Sequence, residues 1–133
     1  MQTKSAARVV TIAVIVDVIA VVAFAITGRI HHAEGTDAAG ILDTAWPFLV
    51  GLAAGWITVL KAHENANPLS IVPAGVTLWA WVMVGGVVIR FLTGAGTAFA
   101  FVATATLVTG ALLVGWRAIV QLVLRFRGTA RSS

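Results

Sequence analysis

The chain has 133 residues, of which 59% are hydrophobic and 11% are charged, and its mean hydropathy is +0.99. This composition excludes an ordinary water-soluble domain and predicts a single membrane domain over residues 1–133. The lack of cysteine excludes disulfides, thiolate metal sites and c-type haem. The formal net charge is +4, but the nine basic residues are scattered and form no nucleic-acid motif, so they indicate membrane topology and no nucleic-acid partner.

Four hydrophobic runs follow one another along the chain. A helix needs about 20 apolar residues to cross the hydrocarbon core of a bilayer. The short connections between the runs favour antiparallel neighbours. The sequence therefore predicts an all-α fold, a four-transmembrane-helix antiparallel bundle, with helices at about 9–27, 41–60, 72–92 and 98–116.

The fourth run continues beyond its apolar part. Arg117, Gln121 and Arg125 recur at every fourth position, which places one polar stripe on an otherwise apolar helix. We expect an amphipathic extension to about residue 127 that lies along the membrane interface.

Local signals within the middle runs predict a kink, a packing surface and a cap. Pro47 lies inside the second run, and Gly51-x-x-x-Gly55 follows it. The glycine pair suits either internal helix packing or dimerisation, and a bundle this small favours internal packing. Ser70 is placed to cap the third helix, with Pro73 in its first turn.

The first run also resembles a secretory signal, because Lys4 and Arg8 precede it and Ala23-Phe24-Ala25 lies near its end. Asp17 interrupts the core of such a signal, and three more hydrophobic runs follow. We therefore expect the first helix to remain uncleaved.

The distribution of basic residues predicts the orientation. With the N-terminus inside, two basic residues lie outside and seven inside: Arg29 and Arg90 against Lys4, Arg8, Lys61, Arg117, Arg125, Arg127 and Arg131. The excess of Lys and Arg marks the cytoplasmic side. We expect a multi-pass protein of the cytoplasmic (inner) membrane with both termini in the cytoplasm.

Asp17 is the most informative residue, because it lies nine positions beyond Arg8, about 13 Å along the helix and near the bilayer centre. An Asp at this depth opposes insertion by about 2.5–3.5 kcal/mol, so it must face protein or water. Two interpretations stay open: a functional group, or a structural one that bonds neighbouring helices or an arginine.

A polar pocket towards the outer side is the candidate site. Arg90 lies in the third run and is the natural partner for Asp17, yet it sits about 10 Å further outward. Asp43, at the outer start of the second helix, has a better depth for Arg90 and Arg29. We expect Arg90, Asp43 and Arg29 to form a pocket with Asp17 at its floor. The alternative is that the arginines extend to lipid headgroups.

His32 is a weaker candidate, beside His31 and near Glu34 and Asp37 in the first loop. Adjacent loop residues rarely point at one ion, so a solvated loop is favoured and no metal site is predicted. The membrane runs hold no histidine for a b-type haem, and no cofactor is expected.

The five tryptophans divide into two groups by their predicted depth. Trp46 and Trp116 fall where interfacial anchors are expected, whereas Trp56, Trp79 and Trp81 lie near the inner halves of the second and third helices. We expect most of them to serve as anchors or in packing; the alternative is an aromatic lining for a hydrophobic or cationic ligand.

Several elements together resemble one family of small prokaryotic membrane proteins. They are Asp17 with Phe24, Gly28-Arg29-x-x-His32, Pro47-Phe48-x-x-Gly51, Gly86-x-x-x-Arg90, Phe101-Val102 and Gly115-Trp116-Arg117. The family is a domain of unknown function, DUF3054, and the resemblance covers almost the whole chain. It implies no activity, cofactor or substrate.

The leading functional hypothesis is a membrane protein that moves or senses a small solute or a proton through the Asp/Arg pocket. The alternative is a non-catalytic subunit or assembly factor of a larger membrane complex. An enzyme ranks third, because Asp17 and Asp43 differ in depth, and no catalytic residue is proposed. Expected partners are the lipid bilayer and either a second copy or a larger complex.

Overall fold

A computed structural model describes residues 2–31 and 34–132. Its four long helices are α1 (Gln2–His31), α2 (Ala38–Ala62), α3 (Val76–Leu92) and α4 (Phe99–Ser132). The segments long and apolar enough to cross a membrane are Lys4–Ile30, Ala38–Ala62, Ile71–Leu92 and Phe99–Ala130. The described part of the chain contains no strand, and the predicted all-α four-helix bundle is confirmed.

The helices pack in a ring in which each contacts the next, and α4 closes it against α1. The ring has two ends. The terminal end holds the start of α1, the end of α4 and the connection 63–70. The other end, which we call the cleft end because a cleft described below opens there, holds residues 34–37 and the connection 93–98.

α1 and α4 are longer than the bilayer requires. Their 30 and 34 residues correspond to about 45 and 51 Å, against a hydrocarbon core of about 30 Å. α4 continues without interruption through the predicted interfacial extension. Both helices are therefore longer than one crossing of the hydrocarbon core requires.

Glycines bring α2 and α3 into close contact. A Cβ added at Gly51 would lie 2.5 Å from the carbonyl oxygen of Trp81, and one added at Gly85 would lie 2.7 Å from Cα of Gly51. The approach at Gly55 is less close, since an added Cβ would lie 3.1 Å from side-chain atoms of Leu78 and Trp81. The predicted glycine motif thus serves internal packing. Close contacts of this kind stabilise the association of helices in lipid.

The proline and the cap lie where the sequence places them. Pro47 is buried inside an unbroken α2, where it supplies no N–H to the helix. The Oγ atom of Ser70 accepts a hydrogen bond from the backbone N–H of Ala74 at 3.3 Å, before an irregular turn over Ile71–Gly75 in which Val72 has an extended backbone. The predicted capping hydrogen bond of Ser70 is confirmed, whereas the regular helix α3 begins at Val76, later than the predicted residue 72.

Three phenylalanines form a layer across the bundle near the cleft end. Phe24 and Phe48 meet edge to face with ring centroids 5.1 Å apart, and Phe101 lies 6.5 and 6.2 Å from them. Phe24 and Phe48 are buried, and Phe101 is half-buried. We call this set the phenylalanine layer. It separates the cleft end from the interior below it.

Candidate functional site

An open cleft lies at the cleft end of the bundle, above the phenylalanine layer. It has a volume of about 240 Å³. Polar groups form its rim, and small or aromatic side chains form its wall: Phe24, Gly28, Arg29, Glu34, Thr44, Arg90, Ala95, Gly96, Ala98, Phe101, Thr104 and Ala105. We call it the arginine cleft, after its two arginines.

Arg29 is held firmly on one side of the cleft. Its Nε donates to the carbonyl oxygen of Gly35, and its Nη1 donates to Oγ1 of Thr44 at 3.0 Å. The same Nη1 lies 3.2 Å from a carboxylate oxygen of Glu34. Gly40 leaves room for the guanidinium, because an added Cβ would lie 2.5 Å from its Nη2. The position of Arg29 is thus fixed, and its charge is paired.

Arg90 lies on the opposite side and is held by the connection between α3 and α4. Its Nε donates to the carbonyl oxygen of Gly96 at 3.0 Å, and its Nη2 donates to that of Ala95 at 2.9 Å. Its Cζ lies 4.2 Å from the ring centroid of Phe101, a cation–π distance. Backbone carbonyls and an aromatic face fix this guanidinium without neutralising it.

The guanidinium of Arg90 has N–H donors that make no hydrogen bond. A guanidinium carries five N–H groups, and the two carbonyls occupy one from Nε and one from Nη2. Among residues 4–30 and 34–130, whose side chains the structure describes, Nη1 finds no hydrogen-bond acceptor and no carboxylate lies within 4.0 Å of the guanidinium. Glu34 and Asp43 lie near enough to act on its charge through space only. Arg90 can therefore bind an additional acceptor.

A buried ion pair lies between α1 and α4, on the other side of the phenylalanine layer. Nη1 and Nη2 of Arg117 each donate to a different carboxylate oxygen of Asp17 at 2.8 Å. The indole N–H groups of Trp116 and Trp56 donate to the same two oxygens at 2.9 and 3.0 Å. Asp17 and Arg117 are both 0% exposed. Every expected acceptor position of the carboxylate is thus in use.

The rest of the Arg117 side chain ties α4 to the connection before α3. Its Nε donates to the carbonyl oxygen of Pro68 at 3.0 Å, and Nη1 also donates to that of Leu113. One turn further along, Nε2 of Gln121 donates to the carbonyl oxygen of Leu69 at 2.9 Å. A Cβ added at Gly75 would lie 3.1 Å from Cδ of Arg117, so glycine leaves space for the arginine.

The structure brings together only part of the predicted pocket. Arg29 and Arg90 share the arginine cleft, whereas Asp43 is exposed on α2 and Asp17 does not line the cleft. Asp17 does not form the floor of this cleft and does not contact Arg90, because Arg117 donates to both its carboxylate oxygens. His32 lies outside the described residues.

Sequence reasoning missed the partners of Asp17. Arg117 was predicted as a cytoplasmic flank, and Trp116 as an interfacial anchor, yet both contact the buried carboxylate. The sequence predicts Trp56 to be an anchor or a packing residue, yet its indole N–H also donates to Asp17. A signal was present: Arg117 and Gln121 lie one turn apart on an apolar helix, which also fits two polar side chains facing the interior.

Comparison with known proteins identifies a family. The model of the family described as "Protein of unknown function (DUF3054)" matches residues 14–120, about four fifths of the chain. The match includes Asp17, Arg29, Arg90 and Arg117. No curated protein and no solved structure matches the chain.

Proposed function

The chain belongs to the DUF3054 family of proteins of unknown function, and from that premise we propose that it is a multi-pass membrane protein that binds a small anionic solute in the arginine cleft. Binding serves to sense the solute or to begin its passage across the membrane. The observation that carries the proposal is the unoccupied donor edge of Arg90 inside an open cleft. A guanidinium held by neutral carbonyls keeps its full charge for a ligand.

The charge of the cleft favours an anion. Arg29 and Arg90 line it together with one carboxylate, that of Glu34. Glu34 lies within ion-pair distance of Arg29, so the lining residues retain one positive charge. The low-dielectric wall of Phe24 and Phe101 strengthens the attraction between this charge and a ligand.

The solute enters from the side opposite the termini. At the terminal end, six basic residues remain once the buried Arg117 is set aside: Lys4, Arg8, Lys61, Arg125, Arg127 and Arg131. The cleft end carries Arg29 and Arg90. The excess of Lys and Arg at the terminal end supports cytoplasmic termini and a cleft that opens to the outside of the cytoplasmic membrane.

In this proposal, Asp17 holds the bundle and does not carry the solute or a proton. Its two oxygens are occupied by four donors, and the phenylalanine layer lies between it and the cleft. Passage across the membrane would require the phenylalanine layer to open. Sensing requires only that the cleft be occupied.

The test is anion binding by the purified protein in lipid nanodiscs. Calorimetric titration with sodium chloride, acetate and sulfate should detect at least one anion that binds, and Arg90→Gln should weaken that binding tenfold or more. Gly40→Ala should also weaken it, because the added methyl group would displace Arg29. Arg127→Gln is the matched control, since it removes an exposed arginine at the other end. Equal binding by Arg90→Gln and this control would contradict the proposal.

A second role, as a subunit of a larger membrane complex, is favoured by the end of α4. Residues 122–128 are all exposed, and they include Leu122, Val123, Leu124 and Phe126. A docked protein could cover these side chains. Native purification tests this role: stoichiometric recovery of a larger complex that is lost in Phe126→Ser, but kept in Arg90→Gln, would support it over the solute-binding role.

A further inference from the structure

We propose that the anion is a monocarboxylate with a short apolar body. Its carboxylate binds the free edge of Arg90, and its body lies against Phe24 and Phe101. This inference rests on the proposed function and assigns the chemical class of its ligand.

The donor geometry of Arg90 fits a carboxylate. The two carbonyls of the α3–α4 connection bind Nε and Nη2, which form the side edge of the guanidinium. The end edge, formed by Nη1 and the second N–H of Nη2, presents two parallel donors. Such a pair matches the two oxygens of a carboxylate, as Arg117 demonstrates with Asp17 elsewhere in this chain.

The net charge of the lining residues distinguishes a monocarboxylate from a dianion as the ligand. The lining residues retain one positive charge, which a monocarboxylate neutralises. A dianion such as sulfate would leave one negative charge beside the carboxylate of Glu34. Uncompensated charge in a partly desolvated site is costly. The cleft therefore favours a single negative charge.

The wall of the cleft supplies the contact for an apolar body. Below the rim, Phe24 and Phe101 are joined by Ala98 and Ala105, so the surface beneath the arginines is aromatic and small aliphatic. The cleft volume of about 240 Å³ limits the apolar body of the ligand to a short chain, and hexanoate represents this size in the experiment below.

Two kinds of molecule carry one carboxylate and an apolar body: a short carboxylate dissolved in water and a fatty acid from the bilayer. A chain-length series distinguishes them. For a water-borne ligand, affinity stops rising once the body fills the cleft, at about six carbons. For a fatty acid whose tail leaves the cleft for lipid, octanoate and laurate continue to gain affinity over binding to empty nanodiscs.

The experiment titrates acetate, butyrate, hexanoate, octanoate, laurate, chloride and sulfate into the protein in nanodiscs, with empty nanodiscs as the blank. Each methylene buried from acetate to hexanoate should tighten binding about fourfold, from about 0.8 kcal/mol per methylene. Arg90→Lys keeps the charge but loses the paired donors, so it should weaken carboxylate binding about tenfold and leave chloride binding nearly unchanged.

Ala98 offers a matched pair of variants that does not depend on Arg90. It is exposed, lines the cleft and directly precedes α4, a position where both Asp and Asn cap helices well. Ala98→Asp should abolish carboxylate binding by repulsion, whereas Ala98→Asn should keep it. Both variants should fold, and their helical content by circular dichroism checks this.

The outcomes separate this inference from the proposed function. Arg90-dependent binding of sulfate or chloride without any gain from acetate to hexanoate would overturn the carboxylate assignment and leave the anion cleft standing. The absence of binding by every anion would overturn both. Carboxylate binding that is equal in Ala98→Asp and Ala98→Asn would show that the ligand lies elsewhere and would also overturn the inference.

Discussion

Removal of one partner of the buried ion pair should destabilise the bundle strongly. In Arg117→Met, the carboxylate of Asp17 would keep two indole donors and lose two charged ones, while remaining fully buried. The carbonyl of Pro68 would also lose its donor. Breaking a buried pair in this way costs about 3–5 kcal/mol, mainly because one charge is left uncompensated.

A double-mutant cycle isolates the coupling between the two residues. Asp17→Asn alone leaves the guanidinium of Arg117 buried without a counter-charge, whereas Asp17→Asn combined with Arg117→Met leaves no charge at all. The double variant should therefore be more stable than the sum of the single losses predicts, by about 1–3 kcal/mol.

The assay is denaturant unfolding in detergent micelles followed by tryptophan fluorescence. Two of the five tryptophans, Trp56 and Trp116, donate to Asp17, so their emission reports on the site itself. Arg125→Met, an exposed position two turns along the same helix, is the control and should change stability by less than about 0.5 kcal/mol. A loss below about 1 kcal/mol in Arg117→Met, or strictly additive losses in the cycle, would refute the reasoning.

Three further predictions concern packing, the connection before α3 and topology. Gly51→Ala should cost about 1–3 kcal/mol in the same unfolding assay, because its Cβ would meet backbone of Trp81, whereas Gly115→Ala, where the Cβ meets open space, should cost nothing measurable. Gln121→Leu leaves the carbonyl of Leu69 without its donor, so it should cost about 0.5–1.5 kcal/mol and speed hydrogen exchange in the connection 63–70. A reporter fused to the C-terminus should be active in the cytoplasm, and activity restricted to the other side of the membrane would overturn the proposed orientation.

The fold was predictable because it depends on the average hydropathy of long segments of the sequence. Four runs of about 20 apolar residues define four helices whatever the details of their packing. Local chemistry added the Ser70 cap and the close-packing glycine pair Gly51 and Gly55, since each needs only its own backbone neighbourhood. The ends of α1 and α4 were less predictable, because polar residues beyond the hydrocarbon core continue a helix as readily as they end it.

The pairing of charges was not predictable in the same way. The cost of burying Asp17 shows that the carboxylate needs a partner, but a partner is defined by depth and helix rotation, and neither is a property of one segment. Arg90 lies inside a hydrophobic run and Arg117 lies just after one, so the sequence draws attention to Arg90, although Arg117 is the partner of Asp17. α4 continues as one helix past residue 116, so Arg117 lies on the helix face that meets Asp17 rather than in a flanking segment.

Arg29 and Arg90 could be grouped from sequence because both lie near the same end of antiparallel helices. What the sequence could not show is that their charges differ in availability. Arg29 is paired with Glu34, a residue in its own loop, whereas Arg90 is held by the carbonyls of Ala95 and Gly96. That difference depends on the backbone path of two short connections.

The most deeply buried charge in this bundle, that of Asp17, is not the charge that is available to a ligand. The free-energy cost of placing Asp17 in lipid draws attention to this residue. Four donors bind its two carboxylate oxygens and offset that cost. A carboxylate that is fully bonded in this way has no acceptor position left for a ligand. Arg90 is less buried and incompletely bonded, so it can form new charge-assisted hydrogen bonds without breaking old ones. The insertion penalty therefore identifies what holds the four helices together, and the unsatisfied donors identify where chemistry with another molecule can occur.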